Sequence, residues 1–388
     1  MLALPMACSA ATGFQACLAQ LRGNALSRGV SEATYDRHVT GLEPDLSVLE
    51  ALDAQPEFVT PIWDYMAGLV DEERVADGRS MLAEHADVLS RIRSRFGVDA
   101  ETLVALWGVE SDYGRVSGKR ALVRSLATLS CMGRRQDFFR GEFVTSLRIL
   151  EQGHVAPEAL TGSWAGAFGH TQFMPSTFEQ LAVDFDGDGR RDLVGSVADA
   201  LASTANYLAR SGWRTGELWG FEVRLPADFD PALAGRRNKR TLADWVRRGV
   251  TGIDGEPIVS ELSAEAQAGL LLPAGIEGPA FLTLRNFDAL YSYNAAESYA
   301  LAIAHLSDRL RGRGPIGAPW PTDDPGLSRA QRRELQQLLV ARGHEIGEVD
   351  GLIGSLTRNA IAAEQRRLGH AVDGRAGQRI LRALRPAQ

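Results

Sequence analysis

One carboxyl group in the sequence is placed where it could act as an acid at neutral pH. Glu110 follows Leu106 by four residues and Trp107 by three, so the three side chains share the apolar face of a helix that Asp99 would cap. Burial raises the pKa of a carboxyl group, and a general acid needs a pKa near the working pH. Gly108 and Gly114 would let a polymer approach closely. A buried glutamate paired with an arginine would give the same pattern, so the helix alone leaves both interpretations open.

A run of aspartates forms a second candidate site, for a metal ion. The loop after Val183 has carboxylates at positions 1, 3 and 5 and a glycine at position 6, as calcium-binding EF-hand loops do. The usual glutamate at position 12 is missing. The predicted ligands are Asp184, Asp186, Asp188, the backbone carbonyl of Arg190, and Asp199, which would close a longer loop. We expect a structural Ca²⁺ and no cofactor for catalysis; the alternative is an aspartate-rich turn that caps the next helix.

The elements around these groups are predicted to be mainly helical. The helices suggested by apolar periodicity are 78–95, 99–110, 136–152, 175–183, 197–211 and 296–310. Phe221–Leu225 is the clearest strand pattern. Four glycines and four prolines at residues 311–326 predict a linker, because such a segment cannot sustain a helix.

The tail, residues 327–388, is predicted to be a small separate domain. Ser328 and Gln331 form a capping box, and the pattern Val-Asp-Gly-x-x-Gly occurs at Val349–Gly354 and again at Val372–Gly377. The tail resembles the peptidoglycan-binding domain of many cell-wall enzymes, and it departs from that pattern at Glu364, where an apolar residue is usual. A generic helical bundle is the alternative.

Composition and the N-terminus bear on the compartment. The 388-residue chain carries a net charge of −7, which argues against a general nucleic-acid binder, and it has no apolar run long enough to span a membrane. Residues 1–12 suggest a truncated signal peptide cleaved near Ala10, with a cytosolic N-terminus as the alternative. In an exported chain Cys17 and Cys131 can pair, and we predict that they form a disulfide.

Ordered motifs across residues 13–310 carry a second resemblance. They include Ala105–Arg115, Gly162–Gly169, Gln172–Ser176, Val183–Gly189 and Tyr293–Asn294. These motifs resemble the membrane-bound lytic murein transglycosylase B family, whose members have a lysozyme-like helical catalytic domain and cleave the glycan strands of peptidoglycan. The predicted fold class is therefore mainly α, with a lysozyme-like helical catalytic domain and a small helical C-terminal peptidoglycan-binding domain.

The resemblance implies a mechanism and a set of site residues. Glu110 would be the single acid/base, which protonates the oxygen between N-acetylmuramic acid and N-acetylglucosamine and then deprotonates the C6 hydroxyl to close a 1,6-anhydro ring. No second carboxylate is then needed, and Asp112 is predicted to be a loop residue, as is His170. The family pattern places the following residues on the glycan: Tyr65, Ser163, Gln172, Phe173, Tyr207, Tyr293, Asn294 and Tyr299.

The resemblance also implies a partner and a compartment. We expect a periplasmic, exported monomer that acts on peptidoglycan glycan strands, with outer-membrane association and contacts with other cell-wall enzymes. Three alternatives remain open from the sequence. They are a hydrolytic muramidase that uses Glu110 with water, a non-catalytic wall-binding scaffold, and an adaptor that acts through the tail alone.

Overall fold

The computed structural model describes residues 6–53, 60–258 and 263–386, and of residues 6–12 and 53 it describes only the backbone. The chain divides into two compact units. The first contains the described residues up to Asp53 and residues 85–210, and the second contains residues 60–84 and those from Ser211 onward. Within the described ranges, no helix is both long and apolar enough to cross a membrane.

Helices account for about half of the chain, and most strands are short. The described α-helices are α1 (Met6–Ser27), α2 (Glu32–Val39), α3 (Ser47–Asp53), α4 (Ile62–Leu69), α5 (Glu72–Glu84), α6 (Ala86–Phe96), α7 (Ala100–Ser111), α8 (Leu122–Met132), α9 (Gln136–Glu151), α10 (Pro175–Leu181), α11 (Val197–Arg210), α12 (Leu242–Arg247), α13 (Arg285–Asn294), α14 (Glu297–Leu310), α15 (Arg329–Val340), α16 (Ser355–Arg367) and α17 (Gln378–Leu384). The strands are β1 (Arg120–Ala121), β2 (Thr161–Gly162), β3 (Gly220–Arg224), β4 (Gly235–Thr241), β5 (Thr251–Gly252), β6 (Gln267–Leu271) and β7 (Ala280–Thr283).

Helix α7 lies at the centre of the first unit. Its residues from Thr102 to Gly108 are all buried, and it packs against α6 and α11. Helix α8 packs along α9 and also against α1. A disulfide between Cys17 and Cys131 joins α1 to α8, with a Cα–Cα distance of 5.8 Å. Helix α1 runs through the predicted cleavage point near Ala10, and residues 1–5 of the predicted signal peptide lie outside the described residues.

The single helix predicted for residues 78–95 is wrong, because the structure has two helices there. Helix α5 ends at Glu84 and α6 begins at Ala86, and His85 between them has a non-helical φ of −105° and ψ of 20°. The His85 ring packs edge-on against Trp107, with 5.5 Å between ring centroids. An apolar periodicity that continues through both helices hides this break.

The second unit contains a five-stranded antiparallel sheet in the order β4–β6–β7–β3–β5. The predicted strand at Phe221–Leu225 matches β3, but the sequence analysis missed the other four strands. Leu270 and Leu282 are paired across β6 and β7, and both are fully buried beneath Trp245 of α12. The indole of Trp245 donates to the carbonyl of Ala268 at 3.0 Å, so the sheet and α12 share one core.

The C-terminal domain contains two copies of one turn. Gln336 of α15 accepts the backbone N–H of Gly351 at 2.6 Å, and Gln365 of α16 accepts that of Gly374 at 2.9 Å. The capping box of Ser328 and Gln331 forms as predicted. Glu364, where the sequence departs from the family pattern, is buried and forms hydrogen bonds with His344 and Arg367, both at 2.9 Å. Burial alone would raise the pKa of Glu364, but these hydrogen bonds outweigh it and lower that pKa.

The same domain is held against helices α4 and α5 by charged side chains. Arg375 binds both carboxylate oxygens of Asp64, at 2.6 and 2.7 Å, and also pairs with Asp324. Nearby, Arg329 pairs with Asp71, and Arg333 pairs with Glu73. The Arg332 guanidinium fills the space that a side chain on Gly68 would occupy. Residues 311–326, predicted as a linker, have no helix or strand, and Glu222 accepts the backbone N–H groups of Gly317 and Ala318 at 2.7 and 2.8 Å.

Candidate functional site

Glu110 lies in the last turn of α7 and is half-buried. The helix begins where the Asp99 carboxylate accepts hydrogen bonds from the backbone N–H of Thr102 at 3.3 Å and from its hydroxyl at 2.6 Å, as the predicted cap requires. Leu106 and Trp107 on the same stripe are buried. Glu110 therefore lies on the same face of α7 as these buried residues, at the edge of the first unit's core.

The turn after Glu110 has a strained backbone. Asp112, Tyr113 and Gly114 follow one another with φ of 50°, 60° and 83°. Two consecutive non-glycine residues in the left-handed region are rare and cost free energy unless their surroundings hold them. Asp112, predicted as a loop residue, is the C-cap of α7 and forms an ion pair with Arg115 at 3.4 Å. Such a turn fixes where the helix ends and hence where Glu110 is placed.

The two glycines beside Glu110 make room for the protein's own rings, and their predicted role in polymer approach stays a prediction. A methyl group at Gly108 would lie 2.7 Å from the Tyr113 ring, and one at Gly114 would overlap the imidazole of His170. Trp107 contacts both rings edge-on, with centroid distances of 5.7 Å to Tyr113 and 5.5 Å to His170. The rings thus pack closely around the end of α7.

We predict that Gly108→Ala lowers activity by at least about tenfold and also lowers Tm, because the methyl group displaces Tyr113 and the turn behind Glu110. The control is Gly141→Ala in α9, where nothing lies within 4 Å of the added methyl group. A helical glycine replaced by alanine gains about 1 kcal/mol in helix propensity, so this control should be neutral or stabilising. Thermal unfolding and glycan cleavage assays of both variants test the prediction. Equal effects of Gly108→Ala and Gly141→Ala on activity and Tm would contradict it.

His170 has a structural role that the sequence did not reveal. Its Nδ1 accepts the indole N–H of Trp107 at 3.2 Å, and its carbonyl accepts the Ser111 hydroxyl at 2.5 Å. Burial lowers the pKa of His170, which favours the neutral ring that this indole bond requires. Trp107 and His170 are 63 residues apart, and no spacing in the sequence predicts that they meet.

Ser163 and Gln172 both lie in the first unit and are half-buried. The Ser163 hydroxyl accepts the backbone N–H of Ala167 at 3.1 Å and so closes a tight loop. Gln172 has a left-handed φ of 52°, and its amide nitrogen donates to the carbonyls of Ser117 and Gly169 at 3.0 and 2.8 Å. These bonds orient the Gln172 side chain, and its amide oxygen accepts no hydrogen bond from the residues that the structure describes.

The rings of Phe173 and Tyr207 pack edge-on in the first unit. Phe173 is 2% exposed and its ring centroid lies 6.2 Å from that of the half-buried Tyr207. The Phe173 ring is buried and packs edge-on against Tyr207, and its predicted contact with substrate stays a prediction. Glu142 holds the next segment by accepting the backbone N–H and the hydroxyl of Ser176 at 2.9 and 2.6 Å.

The other predicted glycan residues lie in the second unit. Tyr65 is a half-buried residue of α4, one position after Asp64. Tyr293 stacks on Tyr299 with ring centroids 6.3 Å apart and an interplanar angle of 16°. Tyr299 is only 3% exposed, whereas Asn294 is exposed. The predicted contact of Tyr299 with substrate stays a prediction.

The aspartate loop brings together three of the four carboxylates that were predicted as metal ligands. Each of Asp184, Asp186 and Asp188 has an oxygen within 4.8 Å of the others. Asp199 lies outside this group: it is fully buried, and its oxygens accept the backbone N–H groups of Phe185 and Asp192 at 2.7 and 2.8 Å. The Arg190 guanidinium donates to the carbonyl of His154 at 3.0 Å. Asp199 thus shapes the loop from within, and three hard carboxylates form a donor set that suits Ca²⁺.

Comparison with known families follows this geometry. Residues 13–308 match the model of the transglycosylase SLT domain, and residues 328–384 match that of the putative peptidoglycan binding domain. The chain belongs to the transglycosylase SLT domain family. It is similar to membrane-bound lytic murein transglycosylase B of Escherichia coli (strain K12), with 35% identity over 246 residues, or 62% of this chain. The chain spans 65% of the length of that curated relative.

Solved structures of relatives support the same membership. SltB3 from Pseudomonas aeruginosa, in complex with NAG-anhNAM-pentapeptide, is 49% identical with a TM-score of 0.78, over 96% of this chain and 99% of that one. Lytic transglycosylase Slt35 of Escherichia coli, in complex with calcium, is 30% identical with a TM-score of 0.66, over 76% of this chain and 92% of that one. The SLT domain fold and the C-terminal domain of this chain therefore have solved counterparts.

Proposed function

We propose that this protein is a lytic murein transglycosylase. It cleaves the β-1,4 bond between N-acetylmuramic acid and N-acetylglucosamine in peptidoglycan and leaves 1,6-anhydromuramic acid ends. The match of residues 13–308 to the transglycosylase SLT domain, with Glu110 in the motif at the end of α7, is the observation that carries the proposal. The C-terminal domain holds the enzyme on peptidoglycan, as its family match suggests.

Glu110 acts first as the acid and then as the base. It donates a proton to the glycosidic oxygen as the bond from C1 of the muramoyl residue breaks. It then takes the proton of the C6 hydroxyl as O6 bonds to C1, so no water is consumed and the carboxyl group returns to its initial state. The acetamido group of the sugar stabilises the positive charge at C1. This is why one carboxylate is enough, whereas most glycosidases use two.

The remaining polar groups bind and orient the sugar. In the first unit, the free amide oxygen of Gln172 accepts from a sugar N–H or hydroxyl, Ser163 orients Glu110 or the acetamido group, and Tyr207 offers a ring face. In the second unit, Tyr65, Tyr293 and Asn294 take glycan contacts of the same kind. Phe173 and Tyr299 fix the rings of Tyr207 and Tyr293 from behind. Such a mixture of flat apolar faces and fixed polar atoms suits carbohydrates.

Product analysis tests the proposal. Purified protein is incubated with insoluble peptidoglycan, and the released fragments are analysed by mass spectrometry. Fragments that end in 1,6-anhydromuramic acid, one water lighter than hydrolysis products, are the expected result. Reducing ends would show a hydrolytic muramidase, and intact binding without any release would show a wall-binding scaffold.

We also propose that Asp184, Asp186 and Asp188 hold a Ca²⁺ ion that stabilises the loop between α10 and α11. Saturating Ca²⁺ should raise Tm by about 5 °C, since a ligand at 100 times its Kd adds about 2.7 kcal/mol to the free energy of unfolding. Asp186→Asn should remove most of this rise, while Asp137→Asn, on an exposed aspartate of α9, should keep it. Thermal unfolding with and without Ca²⁺ measures the effect, and an equal rise in both variants would place the ion elsewhere.

The substrate suggests where the protein works. Peptidoglycan lies outside the cytoplasmic membrane, and the disulfide between Cys17 and Cys131 persists only in an oxidising compartment. We therefore propose a periplasmic enzyme. A monomeric state, outer-membrane association and contacts with other cell-wall enzymes remain predictions.

A further inference from the structure

Strand β4 is strongly basic in an acidic protein. Its sequence, Gly235-Arg-Arg-Asn-Lys-Arg-Thr241, has four cations in seven residues, whereas the chain has a net charge of −7. The strand lies at one edge of the five-stranded sheet and pairs only with β6. Charged residues on an edge strand discourage aggregation, and this function alone would explain one or two cations.

The middle of β4 bulges out of the sheet. Gly235 pairs with Leu270 of β6 and Arg240 pairs with Ala268, so five steps along β4 correspond to two steps along β6. The Asn238 side chain donates to the carbonyl of Ala234 at 2.8 Å and closes the bulge. We call residues 236–239 the basic bulge. Bulges redirect side chains and often lie beside binding sites.

The cations around the basic bulge outnumber the carboxylates that they contact. Asp288 is shared by Arg236, at 2.6 Å, and Lys239. Glu297 lies 3.8 Å from Arg236. Asp244 is shared by three further arginines: Arg240, Arg247 and Arg248. Arg237 is exposed and forms no ion pair within the described part of the chain.

The basic bulge continues the surface that carries two proposed glycan residues. The Arg236 guanidinium lies 3.7 Å from the centroid of the Tyr291 ring and 3.8 Å from the Glu297 carboxylate. These two residues flank Tyr293 and Asn294 in the sequence, at the corner where α13 ends and α14 begins. A sugar held by Tyr293 and Asn294 would therefore present its substituents close to the basic bulge.

We propose that the basic bulge binds the free carboxylates of the peptide stem that the muramoyl residue carries, with Arg237 as the main contact and Lys239, which also pairs with Asp288, as an additional positive charge. This inference rests on the proposed function and names the part of the substrate recognised beside the glycan. The glycan backbone is uncharged once its lactyl groups are joined to peptide, so the stem supplies the negative charge. A guanidinium binds a carboxylate in a fork of two parallel hydrogen bonds, and an ammonium adds a point charge.

Kinetics on matched substrates test the inference. The substrates are soluble N-acetylglucosamine–N-acetylmuramic acid oligosaccharides of equal length, either with peptide stems or with the stems removed by an amidase and the freed lactyl carboxylates capped as methylamides, so that the bare glycan is uncharged. For the double variant Arg237→Gln/Lys239→Gln, we expect KM to rise about tenfold on the stemmed substrate, with little change in kcat or on the bare glycan. Arg236 stays paired with Asp288 in this variant, so the fold around α13 is kept.

The control removes the same charge from another surface. Arg28→Gln/Arg37→Gln changes two exposed arginines of the first unit and should leave KM on both substrates unchanged. Equal KM values for the basic-bulge variant and the wild type on the stemmed substrate would overturn the inference, as would equal rises on both substrates. Absence of anhydro products from the wild type on either substrate would instead refute the proposed function.

Discussion

Replacing Glu110 with glutamine should lower the rate of glycan cleavage by about 10³-fold while Tm and binding to peptidoglycan stay unchanged. The amide has nearly the same size and can still donate and accept hydrogen bonds at the end of α7. It cannot release a proton to the leaving oxygen or take one from the C6 hydroxyl, and the proposed reaction needs both transfers. The measurement is the initial rate of anhydro-product formation, with thermal unfolding and pull-down on insoluble peptidoglycan as companions.

Asp112→Asn is the matched control for Glu110→Gln. Asp112 is a carboxylate only two residues away, but it caps α7 in the left-handed region, which asparagine also tolerates, and its ion pair with Arg115 is partly exposed. We therefore expect this variant to keep most of the wild-type rate. If Asp112→Asn lost as much activity as Glu110→Gln, the reaction would need two carboxylates, and the single acid/base mechanism would be wrong.

The sequence could predict α7 because local chemistry determines it. The Asp99 cap and the apolar stripe act within a few residues, and the structure has both. The left-handed turn that follows was not predictable, because no local preference favours Asp112 and Tyr113 with positive φ. Packing against His170 holds that conformation. Because His170 is far from the turn in the sequence, their contact leaves no periodic pattern that could predict it.

The sheet was missed for a related reason. Strands β6 and β7 are short and buried on both faces, so their apolar runs do not alternate and resemble short helix segments. Strand β4 is polar throughout, and its bulge breaks the two-residue period that identifies a strand. Among the glycan residues, the family motif could suggest Phe173 and Tyr299, but only the packing shows that both rings are buried.

The second large effect is expected at the contact between the C-terminal domain and α4. Arg375→Gln should lower the free energy of unfolding of the second unit by about 3 kcal/mol, because it leaves two largely buried carboxylates, Asp64 and Asp324, without their shared cation. Glutamine cannot form the bidentate contact with Asp64. The hydrogen bond with Asp64 raises the pKa of Arg375 above its already high usual value, so the guanidinium stays charged. Denaturant unfolding measures the change.

Limited proteolysis of the same variant shows which contact is lost. Since Asp64 is adjacent to Tyr65 on α4, release of the C-terminal domain should expose residues 311–326 to a protease and also free the helix that bears a proposed glycan residue. Arg379→Gln is the control, because Arg379 pairs with the exposed Asp323 and such surface pairs contribute at most about 1 kcal/mol. Arg375→Lys keeps the charge without the fork and should fall between the two. Arg375→Gln could instead show the same free energy of unfolding and the same protease sensitivity as Arg379→Gln. The contacts of Arg329, Arg332 and Arg333 would then be sufficient to hold the domain in place.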